Sequence, residues 1–126
     1  MEAKDLRLGN YIYCFKKHAY GIHTVDTSTF SNVIDDDNRN KQLFKPIPVS
    51  KERLLELGFK HDDIFANFTK KLEHGRILGF DIANKHVFMG QWTNDLFQSV
   101  FVAKCDYIHQ LQNLYFSLTG EELTIN

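Results

Sequence analysis

Arg76-Ile77-Leu78-Gly79-Phe80-Asp81-Ile82 is followed by Asn84-Lys85 and then by His86-Val87-Phe88-Met89-Gly90-Gln91. Leu78, Phe80 and Ile82 recur at every second residue, the period that places side chains on one face of a strand. Asn84-Lys85 has turn chemistry, so the second run returns as an antiparallel neighbour. Ser99 to Lys104 reads as a further strand, and Gln91 to Gln98, which contains Trp92, as a loop. Beyond it Ile108, Leu111, Tyr115 and Leu118 recur at helical spacing, with Leu114 widening the stripe. That is an amphipathic helix facing a core. Asp106 is a candidate N-cap and Gly120 a candidate C′ residue, with Leu123 able to fold back on the last turn. Strands followed by one strongly striped helix predict an α+β fold, in which an antiparallel sheet from residues 76 to 104 carries the helix on one face.

Working outward, Leu6 and Leu8 lead into the turn pair Gly9-Asn10, and Tyr11-Ile12-Tyr13-Cys14-Phe15 is β-branched and aromatic, as strands are. Lys16 to Gly21 reads as a hairpin loop, Ile22 to Val25 as its returning strand and Phe30 to Ile34 as a third strand. Together they predict a curled N-terminal β-unit. Asp35 to Lys41 lacks apolar periodicity and reads as a solvated loop. Each proline of Phe44-Lys45-Pro46-Ile47-Pro48-Val49 pushes its predecessor towards extended geometry, so this stretch is expected to cross the surface as a connector. Ser50 is a candidate N-cap for a short helix over Lys51–Leu57 that ends at Gly58, with Leu54, Leu55 and Phe59 on its apolar side. His61 to Phe68 fits a helical turn only in part. The 126 residues are expected to form one domain, with 1–45 as a β-rich subdomain and 50–126 as an α+β one.

Composition narrows the class of function. Hydrophobic residues are 43% of the chain and aromatics 13%, eleven of them Phe. A chain so rich in rings has a core and is not disordered. Fifteen basic residues against sixteen acidic leave a net charge of −1, without the basic excess of a dedicated nucleic-acid binder. No apolar run approaches the roughly 18 residues of a membrane span, and Met1 to Asp5 lacks the apolar stretch of a signal peptide. Cys14 and Cys105 are expected to be free thiols, and a cytoplasmic location follows from both readings.

Patterns that carry chemistry are few. Cys14, His18 and His23 lie close together but match no zinc spacing. Asp35, Asp37 and Asn38 lack the Gly and the distal Glu of a calcium loop. Neither a bound metal nor a cofactor is expected, since phosphate-binding and nucleophile-elbow motifs are missing from the sequence. Cys105 with His109, the group His61-Asp62-Asp63 and the acidic loop are the residues a cryptic hydrolase would use, yet no orienting partner follows in a recognisable pattern. No catalytic residue is assigned.

Binding signals are more numerous. Lys16, Lys17 and His18 lie beside Tyr11, Tyr13 and Tyr20, and Lys70, Lys71, His74 and Arg76 make a second basic cluster. Cations beside aromatics hold single-stranded RNA by phosphate pairing and base stacking, while the same lysines at a hairpin tip serve equally to block edge pairing. Trp92, between Gly90 and Phe97, anchors a protein interface if exposed and plugs the end of the sheet if buried. Opposite the core stripe of the last helix lie His109, Gln110, Gln112, Asn113, Phe116 and Ser117, a face without charge. Such a face, Gln112, Asn113 and Phe116 above all, suggests burial against another layer or a partner, with its amides hydrogen-bonded.

The segment Tyr107-Ile108-His109-Gln110-Leu111-Gln112-Asn113-Leu114-Tyr115-Phe116-Ser117-Leu118-Thr119-Gly120-Glu121-Glu122-Leu123-Thr124-Ile125 resembles the C-terminal signature of a family of small phage and prophage proteins. The likeness extends to Leu6-Arg7-Leu8-Gly9-Asn10-Tyr11-Ile12, and to Pro46-Ile47-Pro48-Val49-Ser50 with Leu54-Leu55-Glu56-Leu57-Gly58-Phe59. The family brings no enzyme activity and no catalytic residues. It is similar to an anti-CRISPR inhibitor of a type VI-B RNA-guided RNA nuclease. The resemblance therefore implies a phage-derived accessory protein that binds the effector or its guide RNA inside a bacterial host. A small RNA-binding module and a cryptic hydrolase are the rival readings.

Overall fold

A computed structural model describes residues 3–17, 20–39, 43–63 and 66–125. The chain is α+β, with two antiparallel sheets of three and five strands and a C-terminal helix. It gathers into two compact units: Met1–Pro48 with Tyr107–Glu122, and Val49–Asp106 with Leu123–Asn126.

In the first unit, strands β1 (Tyr11–Cys14), β2 (Gly21–Thr24) and β3 (Phe44–Pro46) form a sheet in the order β2-β1-β3. Ile12 stands opposite His23 on one side and Pro46 on the other. A proline is tolerated in β3 because that strand is an edge. Ile12 and Cys14 are buried in one cluster with Leu6, Val25, Val33 and Phe44. The stretch expected to cross the surface does not, since Phe44, Ile47 and Val49 are all buried.

Two expectations fail between β2 and β3. Residues 30–34 are not a strand and 35–39 are not a loop; both belong to helix α1 (Thr27–Arg39), while residues 40 and 41 lie outside the described residues. The helix starts at Asp26, whose carboxylate accepts from the main-chain N–H of Ser28 at 3.0 Å and of Thr29 at 3.1 Å. Thr29 Oγ1 in turn accepts the Asp26 N–H at 3.0 Å, a reciprocal cap. Thr29, Val33 and Asp36 form its buried stripe. Asp36 can be buried because its two oxygens accept the N–H groups of Leu43 (2.8 Å) and Phe44 (3.1 Å), leading the chain into β3.

Helix α3 (Ile108–Thr119) is capped by Tyr107, not by Asp106: the Gln110 side-chain oxygen takes the Tyr107 N–H at 3.1 Å. Gly120 ends it in the left-handed conformation, φ 74°. Ile108, Leu111 and Tyr115 of the apolar stripe are buried. The Ile108 N–H donates to the Ile47 carbonyl at 2.8 Å, and Tyr107 bridges Pro48. Thus α3 is grouped in the first unit with the β2-β1-β3 sheet.

In the second unit, α2 (Lys51–Glu56) begins at Ser50, whose hydroxyl accepts the Arg53 N–H at 3.3 Å, and Gly58 follows it at φ 90°. Leu54, Leu57 and Phe59 are buried, whereas Leu55 is exposed and leaves the apolar side. A five-stranded antiparallel sheet follows: β4 (Lys60–His61), β5 (Phe68–Lys71), β6 (Arg76–Asp81), β7 (His86–Thr93) and β8 (Leu96–Lys104), in sequence order across the sheet. The segment 61–68 is thus strand at both ends, and Ile64 and Phe65, expected in its helical turn, lie outside the described residues. Leu78, Phe80 and Val87 are buried at its centre. The loop expected over 91–98 is instead two strand ends joined by Asn94 and Asp95, both left-handed at φ 52° and 64°. A two-residue turn with positive φ at both positions matches the twist of the strands it joins.

Candidate binding surfaces

The two basic–aromatic clusters read from the sequence both reach the surface, the first where the chain passes from β1 to β2 and the second on β5 and β6. In the first unit, Tyr13, Phe15 and Tyr20 form a run of rings with centroids 5.9 Å and 5.4 Å apart. Tyr20 is 76% exposed. Lys45, unmarked in the sequence reading, places its Nζ 5.7 Å from the Phe15 ring, and Lys16 lies 5.2 Å from the Phe44 ring. Lys17 is exposed and His18 lies outside the described residues. Lysines over ring faces gain from the ring quadrupole, and they also cover apolar surface with their stems.

The second cluster divides. Lys70 is half-buried and donates to the Leu57 carbonyl at 3.4 Å, a position that holds it within the unit. Lys71 and Arg76 instead line one recess of about 300 Å³ with Leu72, Gly75, Ile77 and Trp92. Arg76 is steadied there by the Glu73 carbonyl, 3.2 Å from its Nε. Trp92, in a strand and 54% exposed, tilts against Phe97 at 5.0 Å. Strand pairing thus joins the cations of residues 71 and 76 to a ring sixteen residues further on, which linear spacing had left separate.

Trp92 also belongs to a longer aromatic row that the sequence reading missed. His86, Phe88, Gly90 and Trp92 share one face of β7, and Phe101, Ser99 and Phe97 stand opposite the last three on β8. Ring centroids are 4.9 Å apart for His86 and Phe101 and 5.8 Å for Phe88 and Phe101. The available signal was alternation across residues 86–92, obscured because 91–98 was read as a loop. A second recess, about 380 Å³, touches this row at Phe88 and carries Asp63 and Asp81. Asp81 is held below the usual carboxylate range, first by the Asn84 amide that donates to it at 2.8 Å.

The uncharged face of α3 is used within the chain. Gln112 is fully buried: its oxygen accepts the Tyr11 N–H at 2.8 Å and its nitrogen donates to the Gly9 carbonyl at 3.2 Å. Asn113 Oδ1 accepts from Arg7 Nε at 3.1 Å and Asn10 Nδ2 at 2.9 Å, while its own amide reaches the Asp5 carbonyl at 3.1 Å. Arg7 also pairs with Glu122 and covers the Phe116 ring at 4.3 Å. Of the two readings for this face, burial against another layer holds for Gln112 and Asn113; Phe116 stays 40% exposed beneath its arginine. The N-terminal stretch around Leu6–Ile12 and the C-terminal signature are therefore two sides of one hydrogen-bonded seam.

The groups considered for metal or nucleophilic chemistry are engaged otherwise. Cys14 is buried, and His23 Nε2 lies 3.0 Å from Thr29 Oγ1. Asp35 pairs with Arg39 at 2.8 Å. His61 contacts Asp63 at 3.4 Å on an exposed edge, and Asp62 accepts from the Thr69 hydroxyl at 3.4 Å. Among the described residues, no three His, Cys, Asp or Glu side chains converge as a metal site would require. The Cys105 thiol is pushed up to about 11, by burial and then by Asp106. It stays protonated at neutral pH, where a nucleophilic thiol needs the opposite shift. No family model matches this chain, nor does any curated protein or solved structure at a significant level.

Proposed function

We propose that the protein acts by binding: it is a phage-derived accessory protein that inhibits a type VI-B RNA-guided RNA nuclease, in the cytoplasm of a bacterial host, by contacting the effector or its guide RNA. The resemblance at the two chain ends and in the middle of the chain supplies the partner. The observation that carries the mode of action is the recess shared by Lys71, Arg76 and Trp92. Two cations and a large ring on one surface suit a nucleoprotein, which offers phosphates and apolar groups together. The raised Cys105 thiol favours a binder over a cysteine hydrolase. The described helices include none long and apolar enough to cross a membrane.

Inhibition is then stoichiometric. Target-RNA cleavage by the effector, measured against inhibitor dose, reaches its floor near one inhibitor per effector; full inhibition far below that ratio would identify an enzyme and overturn the reading. Reversing Lys71 and Arg76 to Glu slows association and flattens its decline with salt, since the attraction that salt screens beyond about 8 Å at physiological ionic strength is removed. Trp92→Ala costs about 2 kcal/mol or more if the ring is a hot spot. Reversal of Lys16 and Lys17 tests the Tyr20 cluster in the same assay.

The aromatic row on β7 and β8 favours one second reading, a direct RNA-binding module. Bases stack on exposed rings for about 1–3 kcal/mol each. Single-stranded RNA shifted by the protein without the effector, and released by Phe101→Ala together with Trp92→Ala, would support it.

A further inference from the structure

Strand β8 closes one edge of the five-stranded sheet. It is nine residues long, the longest strand in the described chain, and carries no charge from Leu96 to Ala103. It has no proline, and its irregularity, opposite Val87/Phe88, lies near its far end. Natural sheets protect such edges with charges, prolines, bulges or a covering segment. The stretch Leu96–Phe101 has none of these built into it, and Leu96, Val100 and Phe101 are each more than half exposed.

We propose that β8 pairs with β8 of a second copy of this chain, antiparallel about a two-fold axis at Ser99, to make one continuous ten-stranded sheet. The pattern of the strand selects this occupant. Phe97, Ser99 and Phe101 share one face and read the same in either direction about Ser99, with Leu96 and Val102 both apolar at equal distance on either side. Self-complementarity of that kind is what a two-fold interface demands. In an antiparallel ladder alternate residues turn their N–H and C=O groups outward; with Thr93 paired to Leu96 at the turn, Ser99 and Phe101 are among them. Centring on Ser99 sets Phe97 beside Phe101 of the partner copy, and the reverse, giving two aromatic cross-strand pairs on the face that already holds Trp92. The strand ends are opposite in charge: Asp95 stands at the start and Lys104 at the finish, both exposed. Antiparallel pairing brings each Lys104 to the other copy's Asp95 end, whereas a parallel copy would set like charges together. Nothing in this pairing depends on what the recess near Trp92 binds.

The test is the mass of the full chain by light scattering or sedimentation over a dilution series. Two chains per particle, twice 14.7 kDa, are expected at the upper end. Ser99→Lys places two ammonium groups across the axis and should give a single chain of unchanged circular dichroism, as should Ser99→Pro. Asp95→Lys alone should weaken the pair, and Asp95→Lys combined with Lys104→Asp should restore it. Ser99→Cys should cross-link rapidly under mild oxidant, the buried Cys14 and Cys105 remaining unreacted. A single-chain mass at every concentration would overturn the proposal, as would a dimer that survives Ser99→Lys. A chain that is monomeric alone, yet loses partner binding with Ser99→Lys, would assign the edge to a strand of another protein and overturn it equally.

Discussion

At the scale of single residues, stability rests on a few polar side chains that replace main-chain partners. Gln112 is fully buried and satisfies two main-chain groups of the strand-leading segment. Gln112→Leu leaves the Tyr11 N–H and the Gly9 carbonyl unpaired, and an orphaned buried group costs about 1–3 kcal/mol. We expect urea denaturation to show a loss of about 2 kcal/mol or more, and Asn113→Ala to cost about 1–3 kcal/mol, because it strips the acceptor from the fully buried Asn10 amide. Asp36→Ala likewise strips the Leu43 and Phe44 N–H groups and should cost about 2 kcal/mol. His109 gives a pH signature. Burial lowers its pKa from the ordinary histidine value of 6.5, Asp5 opposing, and its Nδ1 has no protein partner. The native state therefore binds fewer protons than the unfolded one below 6.5. Stability is full above that value and declines as pH falls through the folded pKa. His109→Leu should flatten this decline in denaturation midpoints measured from pH 7 to pH 5. A midpoint that falls equally in both proteins would place the titrating group elsewhere. Neither Gln112's partners nor Asp36's were legible locally: they lie 101 and 7 residues away along the chain.

At the scale of elements, periodicity was legible where one face alone is buried. β6, β7 and α3 follow their alternation or their stripe, and α2 its Ser50 cap. α1 was not legible, because its stripe of Thr29, Val33 and Asp36 holds one apolar residue in three and depends on a buried carboxylate. The signal that was available is Asp26 with Thr29 three residues on, a reciprocal cap. Asp26→Ala should reduce helical content by circular dichroism, whereas Asp26→Asn, which keeps the acceptor, should not. The β7–β8 turn was missed because Asn94-Asp95 lacks the glycine that marks such turns. Both residues stand at positive φ, where L side chains strain. Asn94→Val should therefore cost about 1–2 kcal/mol and Asn94→Gly little or nothing, read from thermal midpoints.

At the scale of the whole molecule, the chain leaves the first unit after Pro48 and re-enters it at Tyr107, where Tyr107 bridges Pro48. The first unit is thus completed only by the last element of the chain. Replacing the buried Leu111 of α3 by Asp should unfold it, so that the amides of Ile12, Cys14 and Val25 lose hydrogen-exchange protection, while those of Leu78, Phe80 and Val87 keep theirs. Protection lost equally at both sets would show that the two units unfold together. By itself the sequence determined the α+β class, the central meander, the caps at Ser50 and Gly120 and the apolar stripe of α3, because local periodicity and turn chemistry state which face of an element is apolar. The tertiary structure alone decided what meets each face. It placed Gln112 and Asn113 against residues 5–11, drew Asp36 inward, and set Trp92 beside Lys71 and Arg76. Those outcomes depend on hydrogen bonds and strand pairings between distant residues, and a polar side chain carries no mark of the partner that will satisfy it.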